Sequence, residues 1–250
     1  MNIIMAKDYA GFSEKAAQVV ASQLTLKKNS VLGLATGSTP LGVYAKLIQW
    51  YKQGKLDFSS VSSVNLDEYV GLPRESDQSY YYYMNENFFK HINIDVSRTN
   101  LPNGLAADVE AECKAYDTKI KALGGIDLQL LGIGHTGHIG FNEPCEEFPK
   151  GTHRVTLDHK TIEANSRFFA SEKDVPKQAL TMGIQSIMSA KAVLLMANGE
   201  GKAEIMYKAL CGPVTPKVPA SVLQLHERLY VVGDEAALSV IKEKHPELIG

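Results

Sequence analysis

Short apolar runs alternate along this chain with longer stretches in which apolar residues recur every three or four positions. The short runs predict buried strands at residues 31–35, 61–66, 126–133, 155–157, 192–197 and 229–232. The longer stretches predict helices at about residues 9–24, 40–53, 79–92, 106–123, 178–190, 202–211 and 235–243. Strands that alternate with helices from end to end predict an α/β fold, with a mainly parallel sheet and helices on both faces.

The domain organisation follows from what interrupts this alternation. We find no internal repeat, low-complexity tract or linker, so residues 1–250 are expected to form a single domain. Residues 157–177 are polar and weakly periodic, and we interpret them as a small lid over a site.

The composition excludes several classes of protein. A net charge of −2 gives no basic surface for nucleic acid, and no apolar run is long enough for a membrane span. The three cysteines form no C-x-x-C pair, which argues against a disulfide framework or structural zinc and favours the cytoplasm. We therefore expect a small-molecule partner, and the sequence leaves open a monomer or a homo-oligomer.

The first loop with candidate functional residues follows the strand at residues 31–35. Thr36, Gly37, Ser38 and Thr39 place a glycine turn and three hydroxyl groups at the start of a helix. Free N–H groups and the helix dipole favour a phosphate there. The same residues would also suit a helix cap with a purely structural role.

The second loop begins with an acidic pair at the end of the next strand. Asp67 and Glu68 are candidates for a general base. The alternative is a cap or a surface turn, because short acidic side chains favour both positions.

The third loop, at residues 132–145, is rich in glycine and ionisable groups. It contains a formal G-x-G-x-x-G, but a dinucleotide motif must open a helix, and the residues that follow lack a helical period. His135, His138, Glu143 and Cys145 do not have the spacing of a zinc site, so we expect no metal. A His138–Glu143 acid/base pair is more plausible, although a structural role remains open for His138 and is favoured for His135.

Two basic residues complete the set of candidate site residues. Lys202 follows the strand at residues 192–197, and Arg167 lies in the predicted lid. Either can neutralise a bound anion, although each alone is more typical of a solvated surface charge. Taken together, the loops favour a small phosphorylated substrate that undergoes proton transfers, with a phosphosugar as the simplest case.

Several segments resemble the glucosamine-6-phosphate deaminase family. They are Gly-Leu-Ala-Thr-Gly-Ser-Thr-Pro at residues 33–40, Asn-Leu-Asp-Glu-Tyr-Val-Gly-Leu-Pro at 65–73, Gly-His-Ile-Gly-Phe-Asn-Glu-Pro at 137–144, Asn-Ser-Arg-Phe-Phe at 165–169 and Leu-Gln-Leu-His at 223–226. The resemblance implies a Rossmann-like fold and a cofactor-independent role in amino sugar catabolism. The implied reaction converts glucosamine 6-phosphate and water to fructose 6-phosphate and ammonia.

The resemblance also assigns roles to the candidate residues. Asp67 would move a proton between C2 and C1 of the sugar, and His138, oriented by Glu143, would open the sugar ring. The residues implied to hold the phosphate are Thr36, Gly37, Ser38, Thr39, Arg167 and Lys202. Thr136 stands where the family commonly has Asp or Asn, and a neutral hydroxyl would stabilise an imidazolium less well.

Three other functions stay open at this point. The resemblance extends to 6-phosphogluconolactonase, although Glu143 argues against that hydrolase. Galactosamine 6-phosphate or another amino sugar phosphate is a second possibility. A sugar-phosphate-binding regulator without turnover is a third, and the proton-transfer groups make it less plausible.

Overall fold

The computed structural model describes residues 1–157, 162–163, 169 and 175–249. Ten strands in this part of the chain form two sheets. They are β1 Asn2–Ala6, β2 Val31–Leu34, β3 Ser62–Asn65, β4 Asp67–Tyr69, β5 Thr99–Asn100, β6 Leu128–Gly132, β7 His153–Thr156, β8 Gln178–Thr181, β9 Val193–Ala197 and β10 Leu229–Asp234.

Seven α-helices connect these strands within the described residues. They are α1 Tyr9–Leu26, α2 Leu41–Lys52, α3 Tyr80–Asn87, α4 Val109–Ala122, α5 Ile184–Met188, α6 Ala203–Cys211 and α7 Ser239–Lys244. Short 3-10 helices lie at Phe89–His91, Val96–Arg98, Glu200–Lys202, Pro219–Leu225 and Pro246–Leu248. None of the described helices is both long and apolar enough to cross a membrane.

The main sheet has seven parallel strands in the order β1-β10-β9-β6-β2-β3-β5. From β2 the chain proceeds outward to β3 and β5, and it then returns to the other side of β2 at β6. In open parallel sheets, ligands bind beyond the carboxyl ends of the strands at such a reversal. The topology therefore places a site beyond β2 and β6.

Both faces of the main sheet are covered by helices, which confirms the predicted Rossmann-like α/β fold. The buried apolar side chains of α1, α2 and α3 pack on one face. Those of α4, α5, α6 and α7 pack on the other face. Burial on both faces explains why β9 and β6 are almost continuously apolar in the sequence.

The second sheet is small and antiparallel, with β8 between β4 and β7. Its first strand, β4, begins two residues after β3 ends, so the chain passes directly from one sheet to the other at Leu66. Leu66 joins the two sheets, because its N–H donates to the Leu34 carbonyl and its carbonyl accepts from the Met182 N–H. This junction fixes Asp67, the first residue of β4, at the edge where the site is expected.

The structure differs from the prediction in one helix and in several strands. The helix predicted at residues 178–190 is wrong in its first part, because Gln178–Thr181 forms β8 and only Ile184–Met188 is helical. The run of small and apolar residues suits either conformation, and pairing with β4 and β7 decides for the strand. Strands β1, β4 and β5 were not predicted. Strand β1 is held by parallel pairing with β10, which is distant in the sequence. The predicted lid at residues 157–177 lies mostly outside the described residues.

Candidate active site

Four loops that the sequence singled out meet at one edge of the main sheet. They follow β2, β3, β6 and β9, and these strands are neighbours in the order β9-β6-β2-β3. Because the strands are parallel, their carboxyl ends lie together. The sheet thus brings together the candidate phosphate loop, the acidic pair, the His138 loop and the turn that carries Lys202.

The loop at residues 36–39 lies immediately before α2, with its backbone fixed by two tyrosines. Gly37 has a φ of +94°, a conformation that side chains disfavour. The Tyr83 hydroxyl donates to the Gly37 carbonyl at 2.5 Å, and the Tyr9 hydroxyl lies 3.2 Å from the Ser38 carbonyl and 3.3 Å from that of Thr39. The N–H groups of Ser38 and Thr39 donate to no other described residue. Free N–H groups at a helix N-terminus suit a phosphate.

Asp67 lies in a buried position that disfavours its charged form. The residue is 6% exposed. Burial, and after it the negative charge of Glu68, raises the pKa of Asp67 from 3.8 to about 8. A carboxylate with a pKa near neutrality is an effective proton acceptor, because its ionised form is poorly solvated and binds a proton strongly.

Glu68, the other member of the acidic pair, points away from Asp67, since successive side chains of a strand alternate between its faces. Its carboxylate accepts three backbone hydrogen bonds of 2.9 Å, from the N–H groups of Tyr69, Tyr80 and Tyr81. Burial raises the pKa of Glu68, although these three bonds oppose the rise. The two acids therefore have different surroundings, since three backbone N–H groups bind the Glu68 carboxylate.

His138, Glu143 and Thr136 form a closed group of hydrogen bonds. His138 Nδ1 lies 2.8 Å from Glu143 Oε1 and 2.9 Å from the Thr136 hydroxyl. The Thr136 hydroxyl donates to the other carboxylate oxygen, Glu143 Oε2, at 2.7 Å. The contacts at Nδ1 favour a proton on that nitrogen, which leaves His138 Nε2 for a substrate. Thr136 therefore fixes Glu143 as well as the imidazole.

Two glycines of this loop are required by close approaches. A Cβ at Gly134 would lie 2.1 Å from His138 Nε2, so the imidazole occupies the space beside the glycine. Gly140 has a φ of +58°, and a Cβ there would lie 2.8 Å from the Thr181 hydroxyl and 3.7 Å from Asp67 Oδ2. The His138 loop thus passes close to Asp67 at Gly140.

Lys202 lies in the turn that follows β9. It is half-buried and is the last residue of the 3-10 helix Glu200–Lys202, directly before α6. The turn begins at Gly199, with a φ of +86°, and the Gly199 N–H lies 3.0 Å from both carboxylate oxygens of Asp234. A Cβ at Gly201 would lie 3.7 Å from the exposed His135 ring, so this turn borders the His138 loop. Arg167 lies outside the described residues.

No group of three or more His, Cys, Asp or Glu side chains suited to a metal ion occurs among the residues that the structure describes. His138 and Glu143 instead bond to each other.

The run of four tyrosines at residues 80–83 predicts packing and an interface rather than chemistry, with one or two of the rings facing the site. In the structure the Tyr83 hydroxyl donates to the Gly37 carbonyl, and a contact with Thr36 opposes the rise that burial causes in the pKa of Tyr80. Tyr80 and Tyr83 lie three residues apart, hence on one face of α3. That spacing was visible in the sequence, but the packing of α3 beside the loop was not.

A family model described as glucosamine-6-phosphate isomerases/6-phosphogluconolactonase matches residues 7–231. The chain belongs to this family. The resemblance found in the sequence is thereby confirmed.

Members of the family that are similar to this chain include two bacterial glucosamine-6-phosphate deaminases. The protein of Lachnoclostridium phytofermentans is 61% identical over 232 residues, which cover 93% of this chain and 98% of the relative. That of Clostridioides difficile strain 630 is 53% identical over 249 residues, which cover 100% of both.

Solved structures of the family agree with the fold. A monomeric glucosamine-6-phosphate deaminase has a TM-score of 0.94 at 47% identity, with 96% of this chain and 100% of the other covered. A 6-phosphogluconolactonase from Thermotoga maritima has a TM-score of 0.71 at 20% identity, with 93% and 99% covered. The lactonase therefore shares the fold of this chain.

Proposed function

We propose that this protein is a glucosamine-6-phosphate deaminase that isomerises the amino sugar and releases ammonia. The observation that carries the proposal is the placement of a buried carboxylate, Asp67, beside the loop that holds a His138–Glu143 pair. Relatives that cover nearly the whole chain at 61% and 53% identity have this activity in their names.

Asp67 is the proposed base that removes the C2 proton and returns it to C1. Its elevated pKa suits both steps, because the same group must accept a proton and then release it near neutral pH. A fully solvated aspartate with a pKa near 3.9 would accept the proton far less readily.

His138 is the proposed acid/base for ring opening, acting through Nε2. Glu143 holds Nδ1 and supports the positive charge of the protonated ring. Thr136 supplies no charge of its own, but its hydroxyl donates to Glu143 and so keeps that carboxylate in place. The weaker stabilisation of the imidazolium that we predict for a neutral residue at position 136 is thus partly offset, because Glu143 still provides the negative charge.

The phosphate is proposed to bind at Thr36, Gly37, Ser38 and Thr39, where N–H groups precede α2. Lys202 and Arg167 would add positive charge, and residues 157–177 would close as a lid over a single domain. Closure would exclude water and strengthen the polar contacts with the reacting sugar.

The chemistry needs only proton transfers and water, so we propose a hydrolytic, cofactor-independent enzyme of amino sugar catabolism. We further propose that it acts in the cytoplasm, which the three free cysteines favour. A related deaminase of known structure is monomeric, and a monomer is the corresponding proposal for this chain.

The deciding experiment measures ammonia release from glucosamine 6-phosphate and from galactosamine 6-phosphate, together with hydrolysis of 6-phosphogluconolactone. We expect ammonia from glucosamine 6-phosphate without added metal or cofactor. Greater turnover of the galactosamine substrate would reassign the sugar. Lactone hydrolysis without ammonia release from either sugar would refute the proposal.

A further inference from the structure

Glu68 joins the small sheet to the first turn of α3. Its Oε1 accepts from the N–H groups of Tyr69 and Tyr80, and its Oε2 accepts from that of Tyr81. The first N–H groups of a helix have no partner within the helix. Glu68 supplies that partner from another strand, so the position of α3 depends on β4, the strand that begins with Asp67.

Ser79 caps the same turn. Its hydroxyl accepts from the Tyr82 N–H at 3.0 Å. Glu68 and Ser79 together therefore hold the first three N–H groups of α3. With its first turn held from two sides, α3 has little freedom to rotate about its own axis.

The helix carries this constraint to the candidate phosphate loop. The Tyr83 hydroxyl donates to the Gly37 carbonyl at 2.5 Å. A rotation or shift of α3 would therefore move the backbone at Gly37.

The Gly37 carbonyl determines where the next N–H group points. The peptide between Gly37 and Ser38 is planar and trans, so its C=O and N–H groups point in opposite directions. A tyrosine hydroxyl that holds the carbonyl on one side directs the Ser38 N–H to the other side. That N–H donates to no other described residue and is therefore available to an anion.

We propose that Glu68 is a positioning residue for this reaction, and that it acts through α3 and Tyr83 to fix the Ser38 N–H group at the phosphate site. This inference rests on the proposed function for the identity of the anion, a sugar phosphate. Asp67 and the anion site are thereby set at a constant separation, because residues 67 and 68 are adjacent in one strand.

The test uses inorganic phosphate as the probe and the full-length protein. Phosphate affinity is measured from the rise in Tm with phosphate concentration. The KM and kcat for glucosamine 6-phosphate are measured in parallel. The variants are Glu68→Gln, Glu68→Asp and Tyr83→Phe, with Glu86→Gln as the control. Glu86 lies on the same helix and pairs with Lys90 near the surface.

Glu68→Gln replaces one acceptor oxygen by an NH₂ group that faces a backbone N–H, and Glu68→Asp withdraws the carboxylate by one methylene. Both variants should weaken phosphate binding about tenfold and raise KM by a similar factor. Because Glu68→Asp keeps the charge, an equal effect of the two variants identifies positioning as the cause. A loss confined to Glu68→Gln would overturn the proposal in favour of a charge effect.

Tyr83→Phe should weaken phosphate binding about fivefold, since it removes one hydrogen bond. Combined with Glu68→Gln, it should add less than twofold to the effect of the single Gln variant, because both changes interrupt the same connection. Independent effects that multiply, or Glu68 variants with lower Tm but unchanged phosphate affinity, would overturn the proposal.

If the Glu68 variants do not fold, unchanged phosphate affinity in Tyr83→Phe would still refute the connection through α3. Failure of the proposed function is distinguishable, because it would appear as a lack of ammonia release by the unaltered protein. Phosphate binding does not depend on turnover.

Discussion

Asp67 should make the protein less stable as the pH rises, and a variant without this carboxyl group should lack that part of the pH dependence. In the folded protein the pKa of Asp67 is about 8, against 3.8 for the exposed group. Between about pH 4 and pH 8, the folded state therefore holds a proton on this residue that the unfolded state has already lost. Folding stability must fall with pH across this range, because the unfolded state binds fewer protons.

The magnitude follows from the same two pKa values. Each tenfold change in the ionisation equilibrium is worth about 1.4 kcal/mol. Full ionisation thus costs the folded state at most about 6 kcal/mol, given the rise from 3.8 to about 8. From pH 5 to pH 9 the loss attributable to Asp67 is about 4 kcal/mol, which accumulates mainly between pH 5 and the folded-state pKa of about 8, because above that pKa the folded state also loses the proton.

The assay compares the free energy of unfolding in urea for the unaltered protein and Asp67→Asn at pH 5 and pH 9. Fluorescence of the single tryptophan, Trp50, reports unfolding. Because all other titrating groups are common to both proteins, their contributions cancel in the difference. We expect Asp67→Asn to gain about 4 kcal/mol relative to the unaltered protein from pH 5 to pH 9, and to release no ammonia at either pH.

A difference in stability that is the same at both pH values would refute the buried, proton-binding character given to Asp67. Retained ammonia release by Asp67→Asn would remove it from the role of base. The two readouts are independent, so each part of the argument can fail by itself.

Two further predictions concern the His138 loop. Gly134→Ala places a methyl group in the space of the imidazole and should lower kcat by about a hundredfold or more. The control is Gly132→Ala, which should change kcat little because a Cβ there meets nothing within 4 Å. Equal activity of the two variants would mean that the position of His138 is not critical. Thr136→Val removes the hydroxyl that holds Glu143 and should lower kcat about tenfold, while Thr136→Ser should stay within about twofold of the unaltered protein. Steady-state kinetics on the same substrate checks both, and an unaffected Thr136→Val would show that Glu143 needs no such support.

Much of the candidate site was predictable from the sequence because it lies in contiguous loops. Thr136, His138 and Glu143 are close in the chain, and a loop of eight residues with two glycines can bring them into contact. The helix N-terminus after Gly37 is likewise a local feature. For these residues the chemistry of the side chains and their short spacing were sufficient.

The different surroundings of Asp67 and Glu68 could not be predicted from the sequence. Adjacent acids look equivalent in a sequence, yet neighbouring residues of a strand face opposite sides. One carboxylate lies near Gly140 and the other accepts N–H groups from α3. The suitability of each carboxylate as a base depends on the residues that its face of β4 packs against, and these contacts exist only in the folded protein.

The α/β class, the family and the residues of the His138 loop could be predicted from the sequence alone, because periodicity, glycine turns and contiguous motifs are local. The conformation of residues 178–181, the contact of Tyr83 with Gly37, and the different surroundings of Asp67 and Glu68 became visible only in the folded protein. Each of these depends on contacts between segments distant in the chain. The elevated pKa of Asp67 is the clearest case, because burial causes it and burial exists only when the whole fold is assembled.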